Sequence, residues 1–180
     1  RSSVNFTLDD LATIVHTAHA AGVKTYLTVN TILYDTEMEA LHEVIDRAVK
    51  EGVDAIIAAD VAAIMYARKV GMEVHISTQC NITNVEAVRF YAQFADVVVL
   101  GREVALAQAA DIIRQIHEDG ICGPGGELVR VEMFVHGALC MAVSGKCYLS
   151  LDNYNFPANR GACLQPCRRG YIVKDKETDL

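Results

Sequence analysis

Four cysteines gather toward the end of the chain, Cys140, Cys147, Cys163 and Cys167, with the spacing C-x6-C-x15-C-x3-C. Thiolates are preferred ligands of zinc and of iron–sulfur centres. Structural zinc usually draws on two close C-x2–4-C knuckles, and only Cys163 with Cys167 has that form. A cubane cluster takes thiolate ligands and accepts irregular spacing. Unligated thiols, zinc and an iron–sulfur cluster therefore all stand as readings of the spacing. Around the thiols, Gly137, Gly145, Gly161 and Gly170 mix with Asn153, Asn155, Pro157, Asn159 and Pro166, the composition of irregular loop. A loop without its own core needs a tie, and metal ligation supplies one. Lys146, Arg160, Arg168 and Arg169 accompany it. They read either as solvated charge or as a local basic patch for RNA phosphates, a dianionic acid or the negative charge of a thiolate-bound cluster. Cys80 lies outside this group but beside a strand tip facing the candidate site, and Cys122 sits incidentally in a Gly-rich turn.

A second set of polar residues ends apolar segments: Asn30, Asp60, Gln79, Arg102 with Glu103, and His136. The segments are short strands, at residues 24–30, 54–60, 73–79, 96–102 and 130–135, and between them run helical patterns. Thr7 to Asp10 has capping-box form, and Leu8, Leu11, Ile14, Val15 and Ala18 follow at helical spacing until Gly22. The same grammar recurs over 36–52, 61–71, 83–91 and 105–118. Apolar strands alternating with amphipathic helices predict a parallel sheet covered on both faces. Polar tips on every strand favour a (β/α) barrel, whose site lies at that end. No Gly-x-Gly-x-x-Gly follows a strand, which argues against a dinucleotide site. The expected fold is α/β, a partial eight-stranded TIM-like barrel with about five strands over residues 1–136. A Cys-rich irregular segment, 137–180, follows as part of the same domain.

Strand alternation places Glu132, Phe134 and His136 on one face. A buried Glu132 needs a partner, and Arg102 at the neighbouring tip is the candidate. His136 suits a proton donor near the thiols, so His136, Glu132 and Arg102 form the candidate catalytic set. Asn30, Asp60, Gln79, Arg160 and Arg168 are the candidate substrate contacts. His16 and His75 read as structural.

The composition bounds these readings. The chain has 180 residues, 52% hydrophobic and 22% charged, with formal net charge −7. That excludes disorder and a broadly basic nucleic-acid surface. No apolar run approaches the ~18–20 residues of a membrane span, and no export leader is visible. The expected compartment is the cytoplasm, with the thiols reduced or ligated. The first residue is Arg1, which suggests a central fragment whose barrel is completed by N- and C-terminal parts not in this sequence.

The stretch from Glu132 through Cys140 to Ser150 resembles the signature of peptidase family U32, the collagenase-like proteases. It meets E-x-F-x-x-G, then Ser or Ala, an aliphatic residue, C-x4-G-x-C, a free position, an aliphatic residue and Ser. Asn159 to Cys163 with Gln165 to Arg168 resembles the second family block. The stretches 5–7, 28–30, 77–79 and 101–103 also fit, so the likeness runs nearly end to end. The resemblance implies a TIM-like barrel and two chemistries. One is peptide or collagen hydrolysis, though the chain has neither G-x-S-x-G nor H-E-x-x-H, and Cys140 with His136 lacks a local orienting group. The other is oxygen-independent hydroxylation of tRNA, ribosomal RNA or a quinone precursor by members carrying a 4Fe-4S cluster, with prephenate implicated as co-substrate for RNA. Cys140, Cys147 and Cys163 carry over as cluster ligands. Cys167 stands in as the fourth, where many relatives place theirs further downstream. The stretch around Tyr171 and its acidic tail resembles RNA-hydroxylase-like and uncharacterised members more than the quinone-pathway ones. RNA hydroxylation leads, with a hydrolase or a zinc-stapled interaction module without catalysis as alternatives.

Overall fold

In the computed structural model the alternation becomes α1 (Leu11–Ala20), β1 (Tyr26–Val29), α2 (Met38–Glu51), β2 (Ala55–Ala58), α3 (Val61–Lys69), β3 (Val74–Ile76), α4 (Val85–Tyr91), β4 (Val97–Val99), α5 (Leu106–Asp119) and β5 (Arg130–Glu132). The structure describes residues 6–137, 140–172 and 177. Asn5, Ala138 and Leu139 of the motif stretches, and most of the acidic tail, lie outside the described residues.

The five strands are all parallel and lie in the order β1-β2-β3-β4-β5. An order that never reverses leaves no switch point, which separates this sheet from doubly wound folds. With right-handed crossovers it carries every helix to the same face. This is the winding of a (β/α) barrel, here with five strands.

Burial follows that winding. Ile56, Ala58, Val74, Ile76, Val98 and Leu100 alternate along the strands and join Ile45, Ala48, Ile64, Ala67, Val88, Ile112 and Ile116 in one core. A buried Ile contributes ~1.5–3 kcal/mol, more than the ~1 kcal/mol of a helix cap. Burial therefore decides which face the helices cover, and caps such as Asn84, which accepts from the Ala87 N–H at 2.9 Å, decide where helices begin.

Helices cover one face only, not the two expected from the strands' composition. The other face, interior in a barrel, mixes Ala55, Ile57, Val97 and Val99 with polar and charged residues. His75, 1% exposed, has Nε2 3.1 Å from Glu73 Oε1, which also accepts from Arg130 at 2.6 Å. Its Nδ1 lies 3.7 Å from Glu132 Oε1, and the Tyr26 ring packs against it.

Two expectations change in detail. β5 stops at Glu132 instead of continuing to 135. The Leu100 N–H donates to the Glu132 carbonyl, but the Gly101 N–H turns to Ile82, so β5 has no neighbour beyond that rung. The Cys-rich segment also contains a helix, α6 (Leu149–Tyr154), and two short 3-10 turns, Ala158–Arg160 and Pro166–Arg168. Asn155, which reads as loop, is the left-handed stop of α6 at φ 56°. Among the described residues no helix is long and apolar enough to cross a membrane.

Asp54 locks α1, β1 and β2 together. Its carboxylate accepts from the Thr25 N–H at 2.7 Å and lies 2.9 Å from His19 Nε2. The Thr25 N–H first, then His19, pull its pKa from 3.8 to about 2. A lowered carboxyl contributes stability above the unfolded-state value and loses it as the proton binds the native state. Stability should therefore fall as pH drops from about 4 toward 2, and Asp54→Asn should flatten that slope while lowering stability at neutral pH, as read by denaturant titration across pH.

Candidate functional site

The strand tips and the tail enclose a cavity of about 770 Å³. Asn30, Thr78, Gln79 and Arg102 supply its floor from the ends of β1, β3 and β4, and Phe134, Val135 and His136 follow β5. The tail closes over them with Cys140, Cys147, Cys163, Cys167, Gln165 and Arg168. All four candidate ligand cysteines thus line one space, within the usual 300–1,000 Å³ of small-molecule sites.

The tail is held by polar contacts to the tips. Arg102 Nη2 donates to the Ala142 carbonyl at 3.0 Å and to Ser144 Oγ at 2.6 Å. Asn81 Nδ2 donates to the Ser144 carbonyl at 3.1 Å and the Gln79 carbonyl at 2.8 Å. Gly145 passes so close to Gln79 that an added Cβ would stand 3.4 Å from it, at a backbone φ of +74° that already favours glycine. Further on, Ser150 is fully buried and its hydroxyl accepts from the Leu164 N–H at 3.0 Å.

These contacts set the local electrostatics. The Ala142 N–H, then Arg102 and Arg168, draw the Cys140 thiol below its ordinary range, toward thiolate. Arg102 Nε is buried without a hydrogen-bond partner among the described residues. Among the described residues that line the cavity there is no Asp or Glu. The donor set suits a thiophilic metal centre. The sulfurs do not form a closed shell: among the described residues, no three His, Cys, Asp or Glu side chains stand close enough to hold a metal ion.

Several expected residues lie elsewhere. Asp60 caps α3, accepting from the Ala62 N–H at 2.9 Å and from Leu33 at 3.1 Å, and is not on the cavity wall. Glu132 does not pair with Arg102; it points along the concave face to His75, while Arg102 turns to the tail. Phe134, Val135 and His136 all line the cavity because they follow the last rung of the ladder, where alternation no longer applies. Arg160 also leaves the wall, paired with Glu37. Arg169 stacks 4.8 Å from the Tyr154 ring centroid. Cys80 does not face the cavity: its thiol points to the Ala59 carbonyl among the helix-side packing, and burial raises it. Sequence reasoning missed Asn81, Ser144 and Glu37. It also passed over Ser150, although that serine is a specified position of the signature and so carried a signal.

The profile of Peptidase family U32 matches residues 1–179. The chain belongs to peptidase family U32. Across all 180 residues this U32 chain is 59% identical to a protein named collagenase from Porphyromonas gingivalis, covering 44% of that protein. It is 39% identical over 178 residues to the 23S rRNA 5-hydroxycytidine C2501 synthase of Escherichia coli, covering 98% of the chain and 25% of that enzyme. It is 34% identical over 179 residues to the tRNA hydroxylation protein P of Escherichia coli, covering 97% of the chain and 37% of that protein. The chain spans less than half the length of these curated relatives. No solved structure matches it.

Because Cys140 is held toward thiolate, its alkylation by iodoacetamide in metal-free protein should reach half-maximal rate at a lower pH than an ordinary thiol. Arg102→Gln should move that midpoint part of the way back up, since the Ala142 N–H remains. Peptide mass spectrometry across a pH series measures both.

Proposed function

We propose that this U32 chain is the cluster-bearing part of an oxygen-independent RNA hydroxylase. The observation that supports this reading is that Cys140, Cys147, Cys163 and Cys167 all line one cavity on the strand tips. Those four residues would hold a 4Fe-4S cluster, which supplies electron transfer when bound. The relatives named for rRNA and tRNA hydroxylation support the reaction class. Arg102 and Arg168 offset the charge of thiolate ligands. Arg102, with Asn30 and Gln79, offers donors to a small anionic co-substrate such as prephenate. His136 stands on the same wall as the proton-carrying side chain. Lys146 and Arg168, exposed on the tail, serve RNA phosphate. RNA as substrate goes with a cytoplasmic location, and completion of the barrel by further chain goes with the greater length of the relatives.

A second reading, peptide hydrolysis, draws on the collagenase name of the 59% identical relative. It also draws on Cys140 and His136 sharing the cavity wall. Among the described residues no hydrogen bond joins the two, so the nucleophile lacks a positioned base.

Anaerobic reconstitution should give about four iron and four sulfide per chain with a brown chromophore. Cys140→Ser, Cys147→Ser and Cys163→Ser should each abolish it, and Cys167→Ser should lose it equally if that residue is the fourth ligand. Zinc in place of iron would instead favour a zinc-stapled interaction module. Gelatin cleavage by iron-free protein, lost in a Cys140 variant, would favour hydrolysis.

A further inference from the structure

Arg160 spends its guanidinium inside the protein. One nitrogen donates to Glu37 Oε2 at 2.7 Å and to the Ile32 carbonyl, and the other donates to Glu37 Oε1. The same plane lies 4.7 Å from the centroid of the Tyr34 ring. Both side chains of the pair are mostly covered, 25% exposed for Arg160 and 32% for Glu37. Beside them the Ile32 N–H donates to the Asn159 carbonyl at 3.1 Å, joining the turn Ala158–Arg160 to the loop after β1. A two-pronged, charge-assisted pair with a stacked face fixes orientation as well as distance.

What this contact orients is Cys163, three residues on. On its far side the Leu164 N–H is fixed to the buried Ser150 hydroxyl. Cys163 therefore stands between two anchors, one on the barrel mouth and one on α6, and is half-buried on the cavity wall. The Ser150 anchor ties the tail only to itself, so near Cys163 the direct ties to the barrel mouth are the Arg160 contact and the Asn159 backbone bond beside it.

We infer that Arg160 and Glu37 form a latch that positions Cys163 over the barrel mouth, making Arg160 a positioning residue and not a contact for substrate phosphate. The inference gives a further role to residues of the site described under the cluster reading, on which its functional meaning rests. The latch itself is a property of the metal-free chain and is tested there.

The experiment is labelling of the 180-residue, chelator-treated chain with N-ethylmaleimide, each cysteine followed by peptide mass spectrometry. Cys122 is exposed in the turn before β5, away from the cavity, and serves as internal reference. Glu37→Gln and Arg160→Gln should each accelerate Cys163 labelling roughly three- to tenfold by freeing local opening of the tail, with Cys122 unchanged. The double variant should be no faster than the worse single one, since both remove the same contact. Arg160→Lys, which keeps the charge but not the fork, should restore part of the protection. An unchanged Cys163 rate in both single variants would overturn the latch. So would parallel acceleration of Cys80, which packs among the helix-side core and would report general loosening, or additive effects in the double variant. Iron content of the unmodified chain decides the cluster reading separately and does not enter this result.

Discussion

The segment from Cys140 to Cys167 has almost no apolar interior, so its place is set by polar groups reaching up from the strand ends. Arg102 holds the Ala142 carbonyl and the Ser144 hydroxyl, Asn81 holds the Ser144 carbonyl, and Glu37 holds Arg160. Hydrogen bonds made away from bulk water are costly to leave unmade, which is why so few contacts fix so much chain. The cavity exists because these bonds suspend the tail above the tips instead of packing it down onto them. The four thiols share that space for the same reason.

The sheet beneath supplies the rigidity those bonds require. Its helix-covered face is uniformly apolar, and its concave face carries a polar set in which Glu73 lies against both His75 and Arg130. Polar residues at strand ends can then face the tail without disturbing the core. The division matches the general use of barrels, with stability held in the body and chemistry at the C-terminal rim.

Much of this was legible from the residues. The helix–strand alternation, the parallel sheet and the barrel-like winding follow from periodicity, which is a local property. The clustering of four cysteines in the tail marks them as a group, and the two family blocks coincide with them. What could not be read was direction over long separations. Glu37 lies 123 positions from Arg160, and no local pattern names either as the other's partner. Alternation along β5 predicts one face for Glu132, Phe134 and His136, but the ladder ends at Glu132 and the rule stops there. The position of Cys80 at a strand tip does not give its direction, because the turn Thr78–Cys80 follows β3. Asp60 shows a different limit: an acid at a strand tip serves a substrate or the next helix equally well by type, and here the open N–H of Ala62 takes it.

The unreversed strand order has a consequence for assembly. Each strand's next neighbour in the sheet is also its next neighbour along the polypeptide, separated by one helix, and closing such short loops is entropically cheap. Synthesis delivers these units in the same order in which they neighbour one another. The thiol pocket obeys the opposite rule, since it needs residues emitted early and residues emitted late to meet. It is the keystone of this architecture in the temporal sense, set after the stones below it, and occupancy of that pocket reports that the earlier units are already in place.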